Sequence, residues 1–167
     1  MELYLDTNFI WSFFENAIKA YRRNPKEFEE LKFDFSDRMK FIKETKYNLF
    51  TSNVAKAEVY RKLISEFTTA KELAVTIWNR FIEVFSITEL FIEEVEFNEI
   101  AELSLTAPLK RGTMQNLIQL QFAKNKKLKF ITGDKNIKEY FSGYYKEILT
   151  YIDLRQLYGD SFPQQPS

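Results

Sequence analysis

The sequence predicts an α/β protein whose mostly parallel central sheet of about five strands is covered by helices on both faces. Three observations carry that prediction. Short apolar runs of strand length recur at Glu2 to Leu5, Asn48 to Thr51, Val84 to Ile87, Lys129 to Thr132 and Ile148 to Tyr151. Stretches with helical spacing separate them, so each strand is followed by a crossover that returns the chain to a parallel neighbour. Only 4 Gly and 4 Pro interrupt the 167 residues, which leaves few loops.

Taken in order, Leu3-Tyr4-Leu5 is the buried part of the first strand and Asp6 closes it, just before a helix from about Asn8 to Ala20. A second helix is expected from Pro25 to Thr45, where Phe28, Leu31, Phe35, Met39 and Phe41-Ile42 fall near one stripe and Pro25 suits a first helical position. Helices over Asn53 to Phe67 and Thr69 to Phe81 follow the second strand. A stretch within Thr88 to Leu105, then Thr113 to Asn125, and a short helix from Asp134 to Phe141 complete the pattern. The expected organisation is one domain over residues 1–158, with 159–167 as a frayed C-terminal tail.

Composition narrows the chemistry. The chain has no Cys and no His, which removes disulfides, thiolate catalysis, zinc-finger sites and the Ser-His-acid relay. Any reaction must run mainly on carboxylates, amides and hydroxyls. Basic and acidic side chains number 24 each, so phosphate affinity has to be local. Arg22-Arg23, Lys110-Arg111 and Lys124 with Lys126, Lys127 and Lys129 are small basic clusters that read singly as solvated helix ends. No run is long and apolar enough to span a bilayer and no signal-like segment is visible, so the expectation is a soluble, cytoplasmic protein with no membrane partner. Aromatics are 17% of the chain, with 17 Phe, and most of these are expected in the core.

Four positions carry the functional argument: Asp6, Glu58, Asn116 and Asp134. Asp6 and Asp134 both follow apolar strands, and ligands of open parallel sheets bind beyond the carboxyl ends of the strands. Asp134 also suits a helix N-cap, with no further role. For Asp6 the expectation is that Thr7 or Asn8 caps the helix and leaves its carboxylate free. Glu58 sits at the edge of the stripe Ala55, Val59 and Leu63. It either pairs with Arg61 or Lys62, worth only about 0.2–0.5 kcal/mol, or points into a cleft. Asn116 lies in the first turn of a helix capped by Thr113 after Gly112.

At these residues the chain resembles the PIN-domain family of metal-dependent ribonucleases. The matching segments are Leu3-Tyr4-Leu5-Asp6-Thr7-Asn8, Ser52 to Leu63 around Glu58, and Phe130-Ile131-Thr132-Gly133-Asp134. Each is short and degenerate, and the resemblance rests on their order and spacing along nearly the whole chain. It implies a PIN-like three-layer α/β/α fold. It also implies that Asp6, Glu58 and Asp134 hold Mg²⁺ or Mn²⁺, that Thr132 and Asn8 support them, and that Asn116 stands where the family carries a further acid. Counting back from Ala123 gives that position. The four residues would then be catalytic, with RNA as substrate. The resemblance further implies a toxin of a toxin–antitoxin pair, with an antitoxin-like protein partner and a homodimer.

The chemistry agrees with the donor set. Hard divalent cations take oxygen ligands, and one or two carboxylates with waters and substrate phosphate satisfy Mg²⁺. Asn116 keeps an oxygen donor but removes a negative charge, which predicts one well-held metal and weak binding of a second. The same substitution and the neutral net charge support an alternative, a PIN-like module that binds RNA or protein without cutting. A receiver-like domain would need paired acids after the first strand and a late Lys, neither of which is clear here. The first strand leads into Asp-Thr-Asn with no glycine, which excludes a Gly-rich dinucleotide turn.

Overall fold

The computed structural model describes residues 1–26, 36–106 and 113–158. Along the chain they form β1 (Glu2–Leu5), α1 (Thr7–Arg23), α2 (Asp37–Glu44), β2 (Asn48–Ser52), α3 (Asn53–Glu66), α4 (Lys71–Phe85), β3 (Ile87–Leu90), α5 (Phe97–Leu105), α6 (Thr113–Asn125), β4 (Lys129–Thr132), α7 (Lys135–Phe141), β5 (Ile148–Thr150) and α8 (Tyr151–Tyr158). The expected tail at 159–167 lies outside the described residues.

All five strands pair in parallel, in the order β3-β2-β1-β4-β5. Central β1 sets the register: Tyr4 lies opposite Phe50 on one side and Phe130 on the other. From β1 the chain steps outward to β2 and β3, then crosses back to place β4 on the opposite flank of β1. The order therefore reverses between β1 and β4, and a crevice opens beyond their carboxyl ends.

Alternation along the strands feeds two cores. Leu3, Leu5 and Ile131 face one layer, where α1, α2, α3, α4 and α8 contribute Phe13, Ile42, Val59, Trp78 and Leu154 among others. Tyr4 and Phe130 face the other, packed on Ile100 of α5, Leu117 and Leu120 of α6, and Ile137 and Phe141 of α7. The first core is dense in rings: Phe14 stacks on Trp78 at 5.7 Å and lies 5.0 Å from Phe81, while Phe13 lies 5.1 Å from Phe81. Aromatic pairs of this kind add about 0.5–1.5 kcal/mol each beyond area burial. Among the described phenylalanines only Phe91 and Phe97 are exposed.

Three sequence expectations are corrected. The strand predicted at Val84–Ile87 is Ile87–Leu90, because Phe85 extends the buried stripe Ala74, Ile77, Trp78 and Phe81 of α4. Ser86 then closes the helix in the left-handed region, at φ 51°. No continuous helix spans Pro25 to Thr45. Ser36 is extended (φ −60°, ψ 149°) and starts α2 separately, its hydroxyl accepting from the Met39 N–H and bonding to Ser12 Oγ at 2.7 Å. Phe28, Leu31 and Phe35 lie outside the described residues. Tyr151 begins α8 and is not the end of the fifth strand.

One further feature is electrostatic. From residue 81 to 109 the sequence holds seven Glu and no Lys or Arg. These acids ride on the end of α4, edge strand β3, the connection after it and α5. Glu89 is held by the indole of Trp78 at 2.7 Å and by Lys56, and Glu99 by Gln121, Lys124 and the Tyr144 hydroxyl. Glu93, Glu94, Glu96 and Glu102 form no ion pair with the described residues.

Candidate functional site at the reversal point of the sheet

The crevice beyond β1 and β4 is built from chain geometry before any side chain enters it. Gly133 follows β4, and a Cβ there would stand 2.9 Å from the backbone oxygen of Asn8. Only glycine permits the β4–α7 turn to press so closely on the start of α1. That approach brings Asp134 toward Asp6.

Asp6 is fully buried and is itself the N-cap of α1, contrary to the expectation that Thr7 or Asn8 takes that role. Its Oδ1 accepts from the Phe9 N–H at 2.7 Å and its Oδ2 from Thr132 Oγ1 at 2.6 Å. The Thr132 hydroxyl oxygen in turn accepts from the Asp134 N–H at 3.0 Å, so this residue ties the two acids together. A carboxylate has about four acceptor sites, which leaves one lone pair on each Asp6 oxygen. Burial pushes the Asp6 carboxyl up to about 7; the Thr132 and Phe9 hydrogen bonds oppose that, and the charges of Glu58 and Asp134 add to it. That electrostatic influence marks the three acids as neighbours.

Asp134 is half-buried and caps α7, its Oδ1 accepting from the Asn136 N–H at 2.9 Å. The capping role and proximity to Asp6 hold together. Glu58 forms no ion pair with Arg61 or Lys62. The Lys62 ammonium lies over the Trp11 ring instead, 4.8 Å from its centre. Glu58 is 9% exposed, and its Oε2 is buried with no hydrogen-bond partner. Leaving a buried charged acceptor unmatched costs on the order of 1–3 kcal/mol or more. Among the described residues no three acids stand close enough to hold a metal ion directly between them.

Asn116 is 6% exposed and faces the same crevice, with its Oδ1 accepting from Asn8 Nδ2 at 3.5 Å. Gly112 and the Thr113 side chain, the expected cap of α6, lie outside the described residues. One turn further, Gln119 is fully buried; its Nε2 donates to Thr7 Oγ1 at 3.3 Å and its Oε1 accepts from the Tyr4 hydroxyl at 3.2 Å. Tyr4 also bonds to Ser52 Oγ at 2.6 Å. This chain of hydroxyls and amides lines the underside of the site, and sequence reading misses it. The available signal was Gln119, a polar residue on the stripe of Asn116, Leu120 and Ala123. Burial raises the Tyr4 phenol far above its usual range, and it stays a neutral member of the network.

Beside Glu58 a surface recess of about 340 Å³ opens between α3 and α6, lined by Asn53, Val54, Ala57, Glu58, Arg61 and Gln115. The arrangement as a whole gathers side-chain oxygens beside a cleft, one of them buried and unmatched.

No protein-family model matches the chain, and no curated protein does. Among solved structures the chain is similar to VapBC2 from Rickettsia felis bound to a DNA fragment from their promoter, with a TM-score of 0.52. The match covers 90% of this chain and 97% of that one at 12% identity, so the likeness is one of fold. With its all-parallel sheet between two helical layers, the fold is PIN-like.

Proposed function

We propose that this chain is a metal-dependent endoribonuclease that hydrolyses RNA phosphodiester bonds at the Asp6–Glu58–Asp134 crevice. The observation that carries this reading is the buried, unpartnered Oε2 of Glu58 beside a second buried carboxylate. Two desolvated carboxylates at close quarters repel one another, and a bound cation offsets both penalties at once. The donor set suits Mg²⁺ or Mn²⁺, hard ions that take one or two carboxylates and keep several waters. Asp6 and Glu58 would be the direct ligands and Asp134 would act through water, in keeping with the wider spacing of the three acids. Such an ion supplies an acidified water and clamps phosphate oxygens.

The chain's own groups do the remaining work. Thr132 and the first turn of α1 fix both Asp6 oxygens in place. The Asp134 Oδ2, unused by the α7 cap, accepts a hydrogen bond from the attacking water and takes its proton. Asn8 and Asn116 contribute amides that hold the phosphate without adding charge. Val54 and Ala57 keep the adjoining wall apolar.

The Asn116 amide favours a second reading, a module that binds RNA and does not cut, because it leaves the crevice one acid short. Cleavage of labelled RNA under Mn²⁺ titration, with Asp6→Asn as control, separates the two. Cutting that needs both Mn²⁺ and Asp6 supports the nuclease. RNA retention indifferent to metal, with no products, supports the module.

The same reading extends to biology: a toxin of a toxin–antitoxin pair, dimeric and restrained by an antitoxin-like protein. Its support is the PIN-like fold shared with a VapBC2 structure. Growth arrest on induction of the wild type, absent with Asp6→Asn and relieved by co-expression of a neighbouring small open reading frame, is the expected outcome.

A further inference from the structure

The recess beside Glu58 has a distribution of polar groups that its role in the fold does not explain. Asn53 is fully committed: its Nδ2 donates to the Ile92 carbonyl at 3.4 Å and its Oδ1 accepts from the Ile92 N–H at 2.9 Å. It closes one end. Val54 and Ala57 give an apolar wall, and Glu58 lines the inner side, its unmatched Oε2 buried behind it. Arg61 and Gln115 are both exposed, and neither side chain has an ion-pair or hydrogen-bond partner among the described residues.

Arg61 is the informative member. It lies three residues after Glu58 on α3, the spacing at which an ion pair would form at little cost, yet the two stay apart. A guanidinium left unneutralised beside a carboxylate keeps its forked donors available for a phosphate. The separation is that of neighbouring side chains on a helix face, about 5–6 Å between Cβ atoms, which is on the scale of adjacent groups along one nucleotide. Gln115 faces it from α6. A side-chain amide offers a donor and an acceptor side by side, the pair that matches the edge of adenine.

We propose that this recess is a nucleotide pocket that takes one unpaired base of single-stranded RNA next to the scissile phosphate. Arg61 grips the flanking phosphate, Val54 and Ala57 pack on the base or ribose, and Gln115 sets a preference for adenine. The proposal rests on the nuclease reading for the position of the scissile phosphate, but the binding itself does not require cutting. A base must leave its helix to enter such a recess, so duplex RNA is a poor ligand.

The test is fluorescence anisotropy without added metal, using 2′-O-methyl decamers of oligoadenylate and oligouridylate, which resist cleavage, and an A-form duplex of the same length. Oligoadenylate should bind about tenfold more tightly than oligouridylate, and the duplex more weakly than either. Arg61→Gln should weaken both single strands several-fold, leave the preference intact and reduce the salt slope by about 0.7, the value for one lost phosphate contact on a single strand. Gln115→Ala should bring the two strands to equal affinity. Lys126→Gln, an exposed cation outside the recess, should change nothing. Wild-type affinity in both recess variants, or duplex bound as well as single strands, overturns the pocket. These binding shifts in a protein that cleaves nothing with Mn²⁺ would overturn the nuclease reading and leave the pocket standing.

Discussion

Replacing Asp6 by Asn should stabilise the protein at pH 8 relative to pH 5, measured against the wild type. Asp6 is fully buried and its carboxyl is raised from 3.8 to about 7, chiefly by burial. A group raised on folding contributes stability that is fully present below its unfolded pKa and is lost as pH climbs through its folded pKa. For Asp6 the loss develops between about pH 4 and pH 7. At about 1.4 kcal/mol per pH unit the whole interval is worth at most about 4 kcal/mol. The part falling between pH 5 and pH 8 is about 2–3 kcal/mol. Asn keeps an amide oxygen for the Phe9 N–H and never ionises, so the variant escapes the loss. Urea denaturation of both proteins at the two pH values, with chelator present, gives the difference directly, because the titrating groups remote from Asp6 cancel. Wild-type stability should fall relative to Asp6→Asn as pH rises, and excess Mn²⁺ should recover part of the deficit at pH 8 in the wild type only. A difference that is flat with pH, or that moves the other way, refutes burial as the governing influence on this carboxyl.

The neighbouring residues make equally specific demands. Glu58→Gln should weaken Mn²⁺ binding at least tenfold by calorimetry while leaving the melting temperature unchanged or higher, since it removes an unmatched buried charge. Asn116→Asp adds an acid to the crevice and should increase both Mn²⁺ affinity and cleavage; no gain in either would detach α6 from the metal site. Thr132→Val deletes the hydroxyl that serves Asp6 and Asp134 together, and should cost about 1–3 kcal/mol in urea melts. Gly133→Ala forces the β4–α7 turn away from Asn8, and should lower both stability and RNA cleavage, a joint loss that Gly143→Ala, with open space around its Cβ, should not reproduce.

Much of the fold is legible in the sequence because local pattern and global layout agree. β1 and β4 read correctly to the residue: both are apolar, buried on two faces and bounded by Asp or Gly. Asp134 reads correctly as a cap for the same local reason. The failures occur where tertiary packing decides. Val84 and Phe85 look like strand residues, but the Phe85 ring completes a buried helical stripe beside Phe13, 5.4 Å away. Ser36 sits between apolar residues at helical spacing, and only its bond to Ser12 on α1 shows why the chain breaks there. The acids of the site were visible as motifs, whereas Gln119 and Thr7 were not, because a buried amide–hydroxyl pair leaves no periodic signature. Asp6 shows the limit most clearly. Its position was legible, but its service as the helix cap depends on backbone angles that no spacing rule supplies.

The zero formal charge conceals a polarised molecule. Removing the seven acids between residues 81 and 109 leaves 24 basic side chains against 17 acidic ones on the rest of the chain, the total of 24 acids less those seven. A polyanion drifting toward such a surface meets repulsion along one flank and attraction elsewhere, and it rotates before it docks. On the proposed pocket, Asn53, fastened to Ile92 at the border of the acidic flank, would mark the side from which a strand is turned away. Under the same proposal, Arg61 would mark the side it is drawn across. Encounter rates should therefore depend on ionic strength even near the isoelectric point, where a uniformly charged sphere would show no such dependence.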